Sequence, residues 1–515
     1  MVKNYIIAIG GSGSRCLAAT VYLSAAGLFD NHLHVTIIDP DQTNGNAEQT
    51  RKLISSYHAL NLCEQPARPR DRRFFARRSL ADPAIFRPSI NRKGETGDQY
   101  GYFWQDPNSP DRTFGDSVEF VNAPKPIKNF AKLFYEREDL EMPLGKGYRG
   151  RPNVGAVTLI SDLRRTVGNP HSALGQMMGS IRADVQAERP VRVFVYGSVF
   201  GGTGAAGIPS VPRLAQDSIA ESNTTHHEKM RFGVAMLTPY FTFPAGTAVA
   251  GPAPNSSLQQ VATQAALLHY GHNDPGYQHV YVIGAPEMAP TNKNYSIGGE
   301  SQENDPHYVE MVASMGARDF FMKGEFSRNQ RFMHYVDGDH VGWRTLPCQS
   351  EQDQKEVKRK VVAFATFCFV YKHLLHDAVS DGDWLRRQAW YADNFIRRGY
   401  TLETSTDALN SLNQFCDGFL RWLEKVGAPL AEDSKPLFNW SALAPGQRAE
   451  TLTGQLSATL SSGDPKYPKT GYGHIMDRLS RLTPTYDGDV SPMGLFIYLL
   501  YQAVGEFCDD NYALD

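Results

Sequence analysis

The 515-residue chain is poor in cysteine, and its six cysteines, at positions 16, 63, 348, 368, 416 and 508, form no C-x-x-C pair. That scatter excludes a zinc site or disulfide framework of recognisable spacing and leads us to expect a reducing, cytoplasmic setting. Long apolar runs are also lacking. The longest, Val361 to Tyr371 and Met493 to Leu500, fall well short of the roughly 20 residues needed to span a bilayer, so they predict buried helices and no membrane span. No basic, apolar, small-residue leader opens the sequence. Charge of one sign is scarce as well: a net charge of −3 gives no global attraction to nucleic acid or membrane, and any charge argument must be local. The one strongly biased stretch is Arg68 to Lys93, with nine basic residues against Asp71 and Asp82. It reads first as a solvated arm, and it is the one place where contact with nucleic acid or another polyanion is expected. Internal repeats and low-complexity tracts are absent.

What the chain does have is glycine set between apolar strands and helical periods. Tyr5 to Ile9 runs into Gly10-Gly11-Ser12-Gly13-Ser14 and a small-residue helix through Leu28, then Val35 to Ile38 ends at Asp39-Pro40-Asp41. This is a βαβ unit, whose ligands lie at the carboxyl ends of its strands. A second strand-to-loop junction of the same design joins Val193-Phe194-Val195-Tyr196 to Gly201-Gly202-Thr203-Gly204-Ala205-Ala206-Gly207. Glycines there let backbone N–H groups approach an anion, and a helix N-terminus adds its dipole. Between them lies a third glycine-rich loop, Gly145-Lys146-Gly147-Tyr148-Arg149-Gly150-Arg151, which runs on to Gly155.

The order of elements predicts an α/β fold: a mostly parallel, Rossmann-like sheet with helices on both faces, followed by a mainly helical C-terminal region. The expected division is a nucleotide-binding domain over 1–345, carrying an irregular basic and aromatic insertion at 60–143, and a helical domain over 346–515. Within the first, Phe232 to Leu237 and His279 to Ile283 read as strands. Asn255 caps an amphipathic run to about Tyr270, and a helix is expected from Asp305 to Phe321.

Taken in sequence order, these pieces resemble the tubulin/FtsZ superfamily, and among its members the divergent bacterial tubulin-like GTPases. The strongest match is Phe200 to Gly207, similar to the family's GGGTG[ST]G signature with Phe200 where the first glycine is usual. The resemblance implies GTP or GDP with Mg²⁺ as ligands. It places Gly201, Gly202, Thr203 and Gly204 on the phosphates together with Gly10, Gly11, Ser12, Gly13 and Ser14. Asp39 and Asp41 fall at the loop nearest the terminal phosphate, with Asp41 toward the metal. Gly145, Gly147 and Arg151 match the loop that wraps the γ-phosphate, Pro239 the ribose-side turn, and Asn255 and Asn304 the positions that read guanine. Each asparagine reads equally as a helix cap.

In the same family hydrolysis follows head-to-tail assembly, when an acidic loop after the central helix of one subunit docks on the nucleotide of the next. No N-x-D-x-x-[DE] motif follows Phe321 here. Asp337 and Asp339 are the candidate catalytic carboxylates, with Glu300, Glu303 and Glu310 as substitutes. His334, Asp337, Asp339 and His340 follow no metal-ligand spacing and read as a polar loop. The resemblance thus implies a slow, assembly-dependent GTPase. A non-catalytic GTP sensor that binds a partner protein through its helical region is the alternative. The first sixty residues alone also resemble E1/ThiF-type adenylating domains and NAD-binding Rossmann proteins.

Overall fold

The computed structural model describes residues 2–41, 43–60, 85–86, 90, 112–169, 172–220, 229–243, 256–285, 288–290, 296, 298–324, 330–335, 342–402, 407–428, 437, 451–461, 471–483 and 492–512. Strand β1 (Lys3–Ile9) leads into helix α1 (Gly10–Ala25), β2 (Leu33–Ile38) and α2 (Gly45–Leu60). Three short helices, α3 (Phe114–Ser117), α4 (Lys125–Ala131) and α5 (Arg137–Leu140), precede α6 (Pro152–Val167) and α7 (Ala173–Gln186). Then come β3 (Val191–Ser198), α8 (Gly202–Gly207), α9 (Val211–Ala220), β4 (Met230–Leu237) and the two-residue β5 (Phe241–Thr242). Helix α10 (Ser256–His272), β6 (His279–Gly284), β7 (Ala289–Pro290), α11 (Tyr308–Met322) and β8 (Gln330–Tyr335) complete the α/β part.

Six strands form one parallel sheet in the order β2-β1-β3-β4-β6-β8, while β5 and β7 pair separately. Ile90 adds an isolated parallel bridge to Leu33 on the open side of β2, which extends the order toward the 3-2-1-4-5-6 of doubly wound folds. The strands are nearly continuous apolar runs because both faces are covered. On β1, Tyr5, Ile7 and Ile9 enter one core with α6 and α7, whereas Ile6 and Ala8 enter another with α1 and α11. The expected parallel α/β sheet is therefore present, with β8 an addition: Gln330-Arg-Phe-Met-His-Tyr335 has too many polar residues to announce a strand.

The C-terminal region is helical among its described residues: α12 (Glu351–Val370), α13 (His376–Ser380), α14 (Gly382–Arg386), α15 (Ala389–Asn394), α16 (Asp407–Val426), α17 (Leu452–Ser461), α18 (Tyr472–Arg481) and α19 (Pro492–Asn511). It shares one continuous core with the α1/α11 face of the sheet. Tyr22 of α1 lies against Phe415, Phe419 and Trp422 of α16, at ring separations of 5.2 to 5.8 Å. Arg318 of α11 donates to Leu28 O (2.9 Å) and to both carboxylate oxygens of Asp353 in α12 (2.9 and 2.6 Å). Helix α11 is accordingly enclosed on all sides, from Tyr308 to Phe321.

Candidate functional site

The strand order places a switch point between β1 and β3: the chain leaves β1 for β2 on one side and reaches β3 on the other. A crevice opens at the carboxyl ends of two such strands, and ligands of these sheets bind there. Both strands end in glycine loops. Gly10 adopts φ +71°, outside the range most side chains accept, and a Cβ on it would lie 3.4 Å from Cβ of Thr203. The Gly10–Ser14 and Gly201–Gly207 loops therefore pack against one another at the carboxyl ends of β1 and β3.

Two helix N-termini converge here, and neither is capped by a side chain. Ile9 is the N-cap of α1 and Gly201 that of α8, so the first N–H groups of both helices are left for solvent or a ligand. Gly11, Ser12, Gly201 and Thr203 are half-exposed. Gly13 and Gly204 do a different job: a methyl on Gly13 would come within 2.7 Å of Tyr196 O, and one on Gly204 within 2.4 Å of Ser198 O. They let the helices sit against the strands.

The third loop closes the site from the side. A Cβ on Gly202 would lie 2.8 Å from Tyr148 Cβ and 3.1 Å from the backbone nitrogens of Gly150 and Arg151. Gly145 sits in a single 3₁₀ turn, Leu144–Lys146. Gly147, at φ +74°, lies beside Pro40. Beyond it, Asp41 is buried and organises the floor: Oδ1 accepts from the Thr43 N–H and hydroxyl, both at 3.0 Å, and Oδ2 from the Gly299 N–H at 2.6 Å. Asp39 is buried too and accepts the Asp41 N–H at 3.0 Å; burial pushes its carboxyl up to about 8, against that hydrogen bond and with the Asp41 charge. At neutral pH Asp39 is mainly protonated.

Several expected roles are corrected by these contacts. The Ser14 hydroxyl is buried and donates to Gly10 O at 3.0 Å, inside α1, so it is not turned to the crevice. The Arg151 guanidinium points away, onto Asp139 (2.5 Å) and Glu138 (3.5 Å); its backbone belongs to the crevice while its charge is paired elsewhere. Glu310 is no water-orienting acid: it lies buried in an ion pair with Arg15, accepts the Tyr240 hydroxyl at 3.1 Å, and takes the His307 N–H on Oε2 at 3.2 Å. Burial raises its carboxyl, and Arg15 opposes that shift.

Pro239 is buried at the carboxyl end of β4, where the Thr238 N–H donates to Ile283 O at 2.9 Å. Asn304 reaches the site through its backbone: its N–H donates to Asn46 Oδ1 at 3.0 Å. Asn44 donates to Gln302 Oε1 at 2.6 Å, binding the same two segments together. Asn255, Asp337 and Asp339 lie outside the described residues. Sequence reasoning missed Arg15, whose Nε and Nη1 have no hydrogen-bond partner among the described residues and which lies 5.7 and 5.6 Å from the Tyr240 and Phe241 rings. Its signal was its place directly after the first glycine loop.

His307 caps α11 by accepting the Val309 N–H at 3.3 Å. Burial holds its ring at about 3, and the Arg15 charge pushes the same way. Between that value and the ordinary 6.5 the unfolded chain binds the extra proton, so this contribution is complete above pH 6.5 and shrinks as pH falls. His307→Asn keeps a capping group, and should remove about 2 kcal/mol of wild-type acid destabilisation at pH 5. Denaturant titrations at pH 7 and pH 5 check this; equal pH losses in both proteins would refute it.

Among the described residues no group of three His, Cys, Asp or Glu side chains could hold a metal by itself, and no helix is long and apolar enough to cross a membrane. The chain matches no known family model, no curated protein and no solved structure.

Proposed function

We propose that this chain is a tubulin/FtsZ-like guanine-nucleotide-binding protein that holds GTP in the crevice between the Gly10 and Thr203 loops. The observation that carries the reading is the meeting of two uncapped helix N-termini at the switch point, with the 145–151 loop packed onto Gly202. Backbone N–H groups of Gly11, Ser12, Gly202 and Thr203 bind the phosphates, and the Thr203 hydroxyl adds a donor. Asp41 would hold Mg²⁺. Its Oδ2 accepts one hydrogen bond and keeps a lone pair, which suits an ion that takes few protein ligands. Bound Mg²⁺ would neutralise charge on the terminal phosphates.

Hydrolysis on this reading is slow and depends on a head-to-tail neighbour that supplies an acid. A second reading, a non-catalytic GTP sensor that binds a partner protein through its helical region, is favoured by one observation: the sequence after Phe321 has no N-x-D-x-x-[DE] motif. Phosphate release measured across protein concentration separates the two. Assembly-dependent hydrolysis rises more steeply than linearly; a sensor binds GTP and releases negligible phosphate at every concentration.

A further inference from the structure

Helix α10 turns Ala266, Leu267 and Tyr270 to the core and carries a second apolar stripe on its outer face. Leu258, Val261 and Leu268 are 63, 61 and 63% exposed, while Gln259 and Thr263 are buried. Leu258, Val261, Ala265 and Leu268 follow one another at intervals of three, four and three residues, the a/d spacing of a helix seam, and all four are exposed. A seam of this kind is stable when another helix covers it.

Beside the seam runs a groove of about 440 Å³ between α10, α6 and α9, with Ala156, Ile160, Ala205 and Leu214 along it and Arg213 and Asp217 among its polar residues. Proud leucines next to an apolar groove make a self-complementary surface. No residue of α10 carries an Asp, Glu, Lys or Arg side chain, so two α10 helices meet without like-charge repulsion. Arg164, Arg213 and Asp217 line the groove, so its charges are of both signs, and a twofold axis would let Asp217 of one copy meet an arginine of the other. Exposed Val157 on α6, and Phe130, Leu133 and Phe134 near it, extend this surface toward the roughly 800 Å² per partner of a stable interface.

We infer that α10 is the seam of a twofold dimer of this chain, with Leu258 and Leu268 of each copy seated in the groove of the other. The pairing is isologous and closed, unlike a head-to-tail filament contact, and it does not depend on the nucleotide reading. It also reaches the crevice: the Tyr270 hydroxyl of α10 donates to Ala205 O at 2.8 Å, so the seam braces α8 from behind.

Sedimentation of the full chain without nucleotide tests this. The expected mass is twice the 57.3 kDa of one chain. The double variant Leu258→Glu, Leu268→Glu should halve that mass while the far-ultraviolet circular dichroism stays that of the folded wild type, since both side chains are exposed in the single chain. Ala265→Lys alone, the milder change should the double variant misfold, gives the same halving. A wild-type chain that sediments as a monomer at tens of micromolar overturns the inference. So does a dimer that survives the substitutions, or one that forms only with GTP.

Discussion

Replacing Arg15 with methionine is expected to destabilise the fold by about 3–5 kcal/mol, the usual consequence of stripping one partner from a buried ion pair. Arg15 and Glu310 are 7 and 1% exposed, so the carboxylate left behind has no water to solvate it. The Tyr240 hydroxyl and the His307 N–H would remain on Glu310, but both are neutral donors. Glu310→Gln should cost a similar amount, because it leaves the guanidinium unpaired between the Tyr240 and Phe241 rings. The double change Arg15→Met, Glu310→Leu should recover much of the loss, since it removes both desolvated charges. Urea titration of the three variants at pH 7 checks this. Additive losses in the double variant would show that the two groups do not act as a pair.

The second large effect falls on binding. Gly202→Ala is expected to weaken GTP by roughly 100-fold, or about 2.7 kcal/mol. The new methyl would press on Tyr148 Cβ and on the backbone nitrogens of Gly150 and Arg151, and Tyr148 is buried and cannot swing away. The 145–151 loop must therefore lift from α8, opening the side of the crevice. Gly179→Ala is the control: it lies exposed in α7 with nothing near its Cβ, and should raise stability by about 0.5–1 kcal/mol while leaving GTP affinity alone. Isothermal titration of both variants measures the difference; equal affinity in Gly202→Ala would remove the 145–151 loop from the site.

Much of this arrangement was legible in the sequence, for reasons the structure makes concrete. The strands at 3–9, 191–198 and 230–237 are buried on both faces, and such strands read as unbroken apolar runs. The glycine loops were legible because close approach tolerates no side chain at Gly13, Gly202 or Gly204. What the sequence hid was direction. Period alone finds a stripe on α10 but not which stripe turns inward: the buried face takes Gln259 and Thr263 along with Tyr270, while Leu258, Val261 and Leu268 face out. Likewise Arg151 had the right neighbours for a phosphate ligand, yet Asp139, twelve residues earlier, takes its charge. Glu310 had the look of a catalytic acid; a partner 295 residues away made it structural. Long-range pairing of this sort leaves no local mark.

The central claim is that the crevice between the Gly10 and Thr203 loops binds a guanine nucleotide. Calorimetric titration of the full chain with GTP, ATP and NAD, each with Mg²⁺, tests it most directly. One GTP per chain is expected, bound roughly 100-fold more weakly in Gly202→Ala and unchanged in Gly179→Ala, with ATP and NAD far weaker. Preference for ATP or NAD, or GTP binding indifferent to Gly202→Ala, would contradict it.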